Sequence, residues 1–396
     1  MICCCPDPAN IEVNFRNHSA NCGCIFGDLV RWFSESCHEE AGARFTSRDI
    51  IALMTGIFLS GAALSRIRNV TVRGLNGLER FQQVGMKSRL MELSIKYQED
   101  VPMRFAITNR FLRAEIETHG GELVSLRDGS GAEYIWGGDP AFWSGRNPIL
   151  FPIVGALKNG SVDLGGRSCR MSRHGFARNS DFSPVEQGDD FIVMELRESA
   201  ETLSQYPRPF SLRVRHRLLD CGFSTAFTVE NTGGESLPFC IGAHTAFRCP
   251  LFPGQRFEDY QLVFSHPEYA SSPLLTPEGL IRQGTVKPIL SGSSCLPLGY
   301  EVFREMDTII FRQLQSGSVS LVYRETGQGV EMDFSEFPII AFWTKPGAPF
   351  LCLEPWHGCA ALDSESGRFE DKPFAVTLAP GEQRTLAYTV TLIPGI

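Results

Sequence analysis

The chain has 396 residues, 43% hydrophobic and 11% aromatic, with a net charge of −8 and 13 cysteines. That apolar content is ordinary for a globular protein, and the acidic balance argues against nucleic acid as a partner. Thirteen cysteines would mean a disulfide scaffold in a small secreted chain, but a chain this long builds its own core.

Six of the cysteines lie near the start, at Cys3, Cys4, Cys5, Cys22, Cys24 and Cys37. Their spacing fits no common zinc pattern. Ile50 to Leu64 is apolar but only 15 residues long, and Gly56, Ser60 and Gly61 interrupt it. A bilayer span needs about 20 residues, and an ordinary signal peptide lies closer to the start. Arg44 to Lys96 carries nine basic and three acidic residues, with mixed helical signals in LERFQQVGMKSRLMELSIKYQED. Residues 1–102 therefore read as an N-terminal extension. Three readings stay open: a small helical appendage, a disordered stretch, or upstream sequence outside the working protein. Residues 1–100 hold 11 Lys+Arg and 11 Asp+Glu, so the whole −8 falls in residues 101–396.

From Met103 the pattern changes. RFAITN and LRAEIETHGGELVSLRD alternate apolar and polar residues and turn at Gly120-Gly121, a strand-turn-strand signal. SLRVRHRLLD with FSTAFTVENTGG is a second alternating pair, and SVSLVYRE with VEMDFSE a third. AVTLAPGEQRTLAYTVTLIPG closes the chain with a Pro-Gly turn between two strands. Nothing from 103 to 396 keeps a helical period. Short alternating strands at this spacing predict an all-β fold, a large antiparallel sandwich with many strands in each sheet. The seven cysteines here stand singly, as buried reduced thiols do, which fits a reducing cytoplasm.

The stretch FLCLEPWHG places Glu354 after the apolar run Phe350–Leu353 and before Pro355, which pushes it toward extended backbone at a strand end. Burial there raises a carboxyl pKa and makes it a better proton acceptor near neutral pH. Trp356 offers a flat surface of the kind sugars stack on. His244 sits in the apolar GAHTAF, and His174 lies between two arginines in RHGFAR. Arg146 precedes the buried run ILFPIVG, and Asp307 opens an apolar strand. Taken singly, a strand-end arginine, a core histidine and a turn-capping aspartate explain these residues well. Gathered at strand ends of one β domain, they point to a site.

These stretches, in this order, resemble the aldose 1-epimerase family, in its galactose mutarotase-like branch. ITNRFLRAEIETHGGELVSLRD, EYIWGGDPAFW, RNPILFPIVG, HGFAR, IGAHTAFRCP and FLCLEPWHG carry the resemblance, which spans residues 103–396 and none of 1–102. It implies a β-supersandwich that interconverts the anomers of a free aldose without metal, nucleotide or redox cofactor. By the resemblance Glu354 is the general base, His244 the general acid and His174 a second histidine near the ring oxygen. Arg146 and Asp307 match substrate-contacting positions of the family, and Arg178 and Trp356 are expected as further sugar contacts from their residue types. Ring opening takes a proton from the anomeric hydroxyl and gives one to the ring oxygen. This expects an ionised Glu354 and a protonated His244, with Asp307 steadying the imidazolium. Two residues depart from the family pattern. Thr245 replaces a proline and is expected to loosen the His244 loop, and Ala156 replaces a basic residue. A hexose-6-phosphate 1-epimerase is the alternative activity, and a sugar-binding sandwich without catalysis the alternative class. The expected partner is a small sugar in the cytoplasm, with no nucleic acid and no membrane. The sequence is silent on oligomeric state.

Overall fold

The computed structural model describes residues 102–395 and three short strands before them. The chain divides into two units, Met1–Val101 and Pro102–Ile396. In the first, β1 (Asn10–Asn14), β2 (Asn69–Arg73) and β3 (Leu93–Ser94) form an antiparallel sheet in that order. The N-terminal cysteines, and the helical signals expected over residues 78–100 apart from β3, lie outside the described residues.

The second unit is built on alternation. β4 (Arg104–Thr108), β5 (Leu112–Glu117) and β6 (Leu123–Asp128) form a small antiparallel sheet. Leu112, Ala114 and Ile116 of β5 point inward, and Gly120 and Gly121, both at positive φ, turn the chain into β6. There follow β7 (Ile149–Leu150), β8 (Ser161–Leu164), β9 (Arg167–Arg170), β10 (Ser183–Gln187) and β11 (Phe191–Arg197). Helix α1 (Ala200–Gln205) starts where the Ser199 side chain accepts the Thr202 N–H, a cap worth about 1 kcal/mol. Next come β12 (Phe210–Leu219) and β13 (Gly222–Asn231), whose inward positions recur at every second residue. β14 (Leu237–Phe239), β15 (Ile241–Ala243) and β16 (Thr245–Arg248) lead to a long hairpin, β17 (Tyr260–Leu275) and β18 (Ile281–Pro297). After helix α2 (Tyr300–Met306) the chain ends with β19 (Thr308–Arg312), β20 (Ser318–Tyr323), β21 (Gly329–Asp333), β22 (Ile339–Trp343), β23 (Phe350–His357), β24 (Val376–Leu378) and β25 (Gln383–Ile393).

Two large antiparallel sheets result. One has nine strands in the order β10-β11-β12-β13-β25-β21-β20-β17-β18. The other has the order β19-β22-β23-β15-β7, with β16 also on β23. Their inner faces share one core. Phe264 on β17 packs edge-on against Phe311 on β19 and Phe342 on β22, with ring centroids 5.8 and 6.0 Å apart. Truncating one such buried phenylalanine to Ala costs about 3–5 kcal/mol. The large sandwich with many strands per sheet is therefore as the alternation predicts. The closing Pro380-Gly381 turn does separate two strands, but β24 pairs with β14 while β25 joins the nine-stranded sheet.

All seven cysteines after residue 102 are free thiols. Five are buried, whereas Cys221 and Cys295 are exposed.

Candidate active site

The site forms where three segments run side by side: Arg146–Leu150, Gly242–Arg248 and β23. Gly242 faces Trp356 and Thr245 faces Leu353 in one unbroken register, so His244 stands directly opposite Glu354. Opposed residues of an antiparallel pair project to the same face. Regular ladder pairing lapses here, between β15 and β16. Pro355 has no N–H to give, and the His244 N–H turns away to the Pro148 carbonyl, 3.0 Å off. Glu354 thus lies within a strand that continues to His357, not at the strand end that the sequence pattern suggests.

Alternation decides what surrounds the pair. Leu351 and Leu353 point into the main core. Phe350, Cys352 and Glu354 take the opposite face, where Phe350 and Cys352 join Trp136, Ala246 and Ala348 in a smaller apolar cluster. His244 Nε2 lies 3.3 Å from Glu354 Oε2. The histidine is 8% exposed and the glutamate 1%. Neither glutamate oxygen has a hydrogen-bond partner, and His244 Nδ1 also has none. The Trp143 ring stands 4.8 Å from the His244 ring, that of Trp343 5.6 Å and that of His174 5.7 Å. Gly145 lets Trp143 fold over the histidine, since a Cβ there would come within 2.4 Å of the indole.

Burial sets the protonation. Desolvation raises the Glu354 pKa well above its ordinary value, and the Asp307 charge adds to the rise. The Trp356 indole N–H opposes it without closing a well-formed hydrogen bond. Desolvation, with the charge of Arg178 adding to it, lowers the His244 pKa to about 3. The favoured state is a neutral carboxyl beside a neutral imidazole. This reverses the expected carboxylate and imidazolium, because an ion taken out of water costs more than one close partner returns. Asp307 acts on the glutamate and not on the histidine it was expected to steady. It is exposed, sits after α2 at φ 60°, and accepts a hydrogen bond from Thr308 Oγ1 at 3.1 Å.

His174 is buried and adopts φ 68°. Its backbone N–H donates to the Gly155 carbonyl at 2.9 Å, and its Nδ1 accepts the Gly155 N–H at 3.2 Å. A ring whose Nδ1 accepts carries its proton on Nε2 when neutral. Burial, His244, Arg178 and Arg173 all lower its pKa. Gly175 holds this loop against Phe151, where a Cβ would meet the carbonyl oxygen at 2.2 Å. Trp356 is buried, its ring 6.5 Å from that of His174. Arg178, in a short turn at Ala177–Asn179, is half-buried and feels the charge of Glu122. Arg146 is also half-buried, donates from Nε to the Gly137 carbonyl at 3.1 Å, and acts on the same glutamate.

Thr245 does not loosen the histidine. It is fully buried, and its hydroxyl donates to Asn147 Oδ1 at 2.7 Å and meets the Tyr388 hydroxyl at 3.2 Å. That link ties the His244 strand to the opposite sheet. Ala156 brings no polar side chain, only a carbonyl that accepts the Ala361 N–H. Sequence reasoning leaves Trp143, Trp343 and Glu122 without a role. Trp143 sits inside the stretch EYIWGGDPAFW, and the glycines around it are the one available sign.

The aldose 1-epimerase family model matches residues 103–391. Protein LacX, the chromosomal form from Lactococcus lactis subsp. lactis, is 36% identical over 74% of this chain and 100% of its own length. A galactose mutarotase related enzyme from Lactobacillus acidophilus superposes with a TM-score of 0.70 at 27% identity, covering 74% of this chain and 98% of its own. A galactose mutarotase-like protein from Lactobacillus casei gives 0.68 at 30% identity, covering 74% and 100%.

Proposed function

Since the chain belongs to the aldose 1-epimerase family, we propose that it interconverts the α and β anomers of a free hexose at the His244–Glu354 pair. The observation that carries this reading is a buried carboxyl and imidazole, 3.3 Å apart, with no hydrogen-bond partners for the carboxyl oxygens. A group held so has lone pairs to offer a substrate, and tryptophans stand beside it as faces for a sugar ring.

The pair carries one proton through the cycle. With a ring sugar bound, the Glu354 carboxyl first passes its proton to His244 Nε2. Glu354 as carboxylate then takes the anomeric hydroxyl proton, and His244 as imidazolium gives its Nε2 proton to the ring oxygen. The C1–O5 bond breaks, and the products are an open-chain aldehyde, a neutral carboxyl and a neutral imidazole. Those are the forms that burial favours, so the site's own electrostatics favour ring opening. Rotation about C1–C2 presents the other carbonyl face. Reclosure returns the proton to the histidine, with His244 as base and Glu354 as acid. His174, with its proton on Nε2, donates a hydrogen bond near the ring oxygen. Arg146, Arg178, Asp307 and Trp356 contact the sugar.

A hexose 6-phosphate is the second reading, supported by the charges of Arg173 and Arg178, both of which act on His174. A neutral sugar is favoured because Arg146 and Arg178 already act on one carboxylate, Glu122. A phosphate normally meets two or more uncommitted cations. Polarimetry of freshly dissolved α-glucose or α-galactose, with and without the protein, tests the reading. No acceleration in the parent, or full acceleration in Glu354→Gln, refutes it.

A further inference from the structure

Cys352 takes no part in the sugar chemistry, yet it shares a face with the acid–base pair. It stands two residues before Glu354 on β23, so both side chains leave the strand on the same side. His244 lies opposite Glu354, and Ala246 opposite Cys352. Three side chains of different chemistry therefore converge: an imidazole nitrogen, a thiol sulfur and a carboxylate oxygen. The three donor atoms lie within 4.8 Å of one another, and all three residues are buried.

We propose that His244, Cys352 and Glu354 form a binding site for a thiophilic divalent cation of the zinc type. The geometry already has one edge of a tetrahedron. Ligand nitrogen and oxygen atoms at about 2.0–2.1 Å from a zinc ion, at the tetrahedral angle, sit about 3.3 Å apart. His244 Nε2 and Glu354 Oε2 are 3.3 Å apart. A nitrogen–sulfur edge is about 3.6 Å, so the Cys352 sulfur has at most about 1.2 Å to close. Glu354 Oε1 and Oε2 are buried without partners, so no bond need be broken to turn either carboxyl oxygen to the metal. Three protein donors leave a fourth position for water.

Charge balance favours the same ion. Binding releases the thiol proton and the carboxyl proton to solvent, leaving a thiolate and a carboxylate beside the dication. The cluster is then neutral as a whole, which removes the penalty that each separate charge meets in this apolar pocket. Magnesium is a poor match, because it demands octahedral oxygen ligands and keeps its waters. The site stands on the placement of the three donors. Its consequence rests on the acid–base reading above: a metal on Glu354 and His244 occupies both proton-transfer groups, so turnover stops.

Two measurements on the full chain test this. The first is the absorption spectrum with cobalt(II), a spectroscopic substitute for zinc, taken as the difference between the parent and Cys352→Ala. A thiolate-to-cobalt charge-transfer band present in the parent and lost in the variant is expected. The second is mutarotation of α-glucose under a zinc chloride titration, each protein normalised to its own metal-free rate. Zinc should stop the parent, EDTA should restore it, and magnesium at the same concentrations should do nothing. In Cys352→Ala the half-inhibiting zinc concentration should rise about tenfold or more. Cys352→Ser, closer in shape and a weak ligand for zinc, repeats both measurements if the alanine variant fails to fold. Cobalt spectra that are the same in parent and variant overturn the site. A Cys352-dependent band with zinc-insensitive turnover supports the site and counts instead against Glu354 and His244 as the reacting pair.

Discussion

Replacing Glu354 by Gln should stop turnover and at the same time stabilise the fold above pH 5. The Glu354 carboxyl is buried with both oxygens unpartnered, and desolvation holds its pKa well above the ordinary 4.5. In the unfolded chain the same carboxyl loses its proton near that ordinary value. Between the two pKa values the native state therefore binds one proton more than the unfolded state. Stability then falls as pH rises, by about 1.4 kcal/mol per pH unit. Glutamine has no proton to lose and no such slope. At pH 5 the two proteins should be close, because each buries a neutral side chain whose unpartnered atoms cost about 1–3 kcal/mol. From pH 5 to 7 the variant should gain on the parent by up to about 3 kcal/mol. Urea unfolding at pH 5, 6, 7 and 8, followed by tryptophan fluorescence and compared at equal m-value, measures this. The same preparations should show kcat lowered by about 10²–10⁴ in the variant. A parent more stable than the variant at pH 8, with no change in their difference across the series, would mean an ionised and well-partnered Glu354. The neutral resting pair would then be wrong.

The same geometry leads to three further outcomes. His244→Asn should lower kcat by about 10²–10⁴ with a modest change in KM, whereas His174→Asn should cost less in kcat or act mainly on KM; equal kcat losses would contradict separate roles. The acid limb of kcat/KM against pH should fall well below the usual histidine range of about 6.5, because burial holds His244 near 3; an acid limb at 6 to 7 that vanishes in His244→Asn would contradict the depressed pKa. A chain beginning at Met103 should fold and turn over like the full protein, because the second unit has its own core and the Met103 N–H already bonds Thr118 Oγ1; insoluble protein from that start would place part of residues 1–102 in the fold.

The strands were legible because one face of each sheet is buried and alternation is a local signal. β13 shows it residue by residue, and Gly120-Gly121 marks the turn from β5 to β6 equally well. Glu354 stood out because a carboxylate after four apolar residues and before Pro-Trp is costly unless used. Its meeting with His244 could not be read locally. It depends on pairing between two strands far apart in sequence, and on a register that alternation alone leaves open. The resemblance to the family supplied that pairing. Trp143 and Trp343 were missed because an aromatic side chain reads the same in a core and beside a site. The protonation expectation failed for a physical reason. Residue types suggest an ion pair, but only burial decides whether the charges survive. Thr245 misled in the same way, since the gain of buried hydrogen bonds to Asn147 and Tyr388 shows only once the second sheet is in place.

The central claim is that His244 and Glu354 open and close a neutral sugar ring. Polarimetry of fresh α-glucose tests it most directly, run beside α-glucose 6-phosphate at low and high salt, with Glu354→Gln as the control. Acceleration of the free sugar at least equal to that of the phosphate in kcat/KM, abolished in Glu354→Gln, is the predicted result. A hundredfold preference for the phosphate that weakens with salt, or a Glu354→Gln chain as fast as the parent, would contradict it.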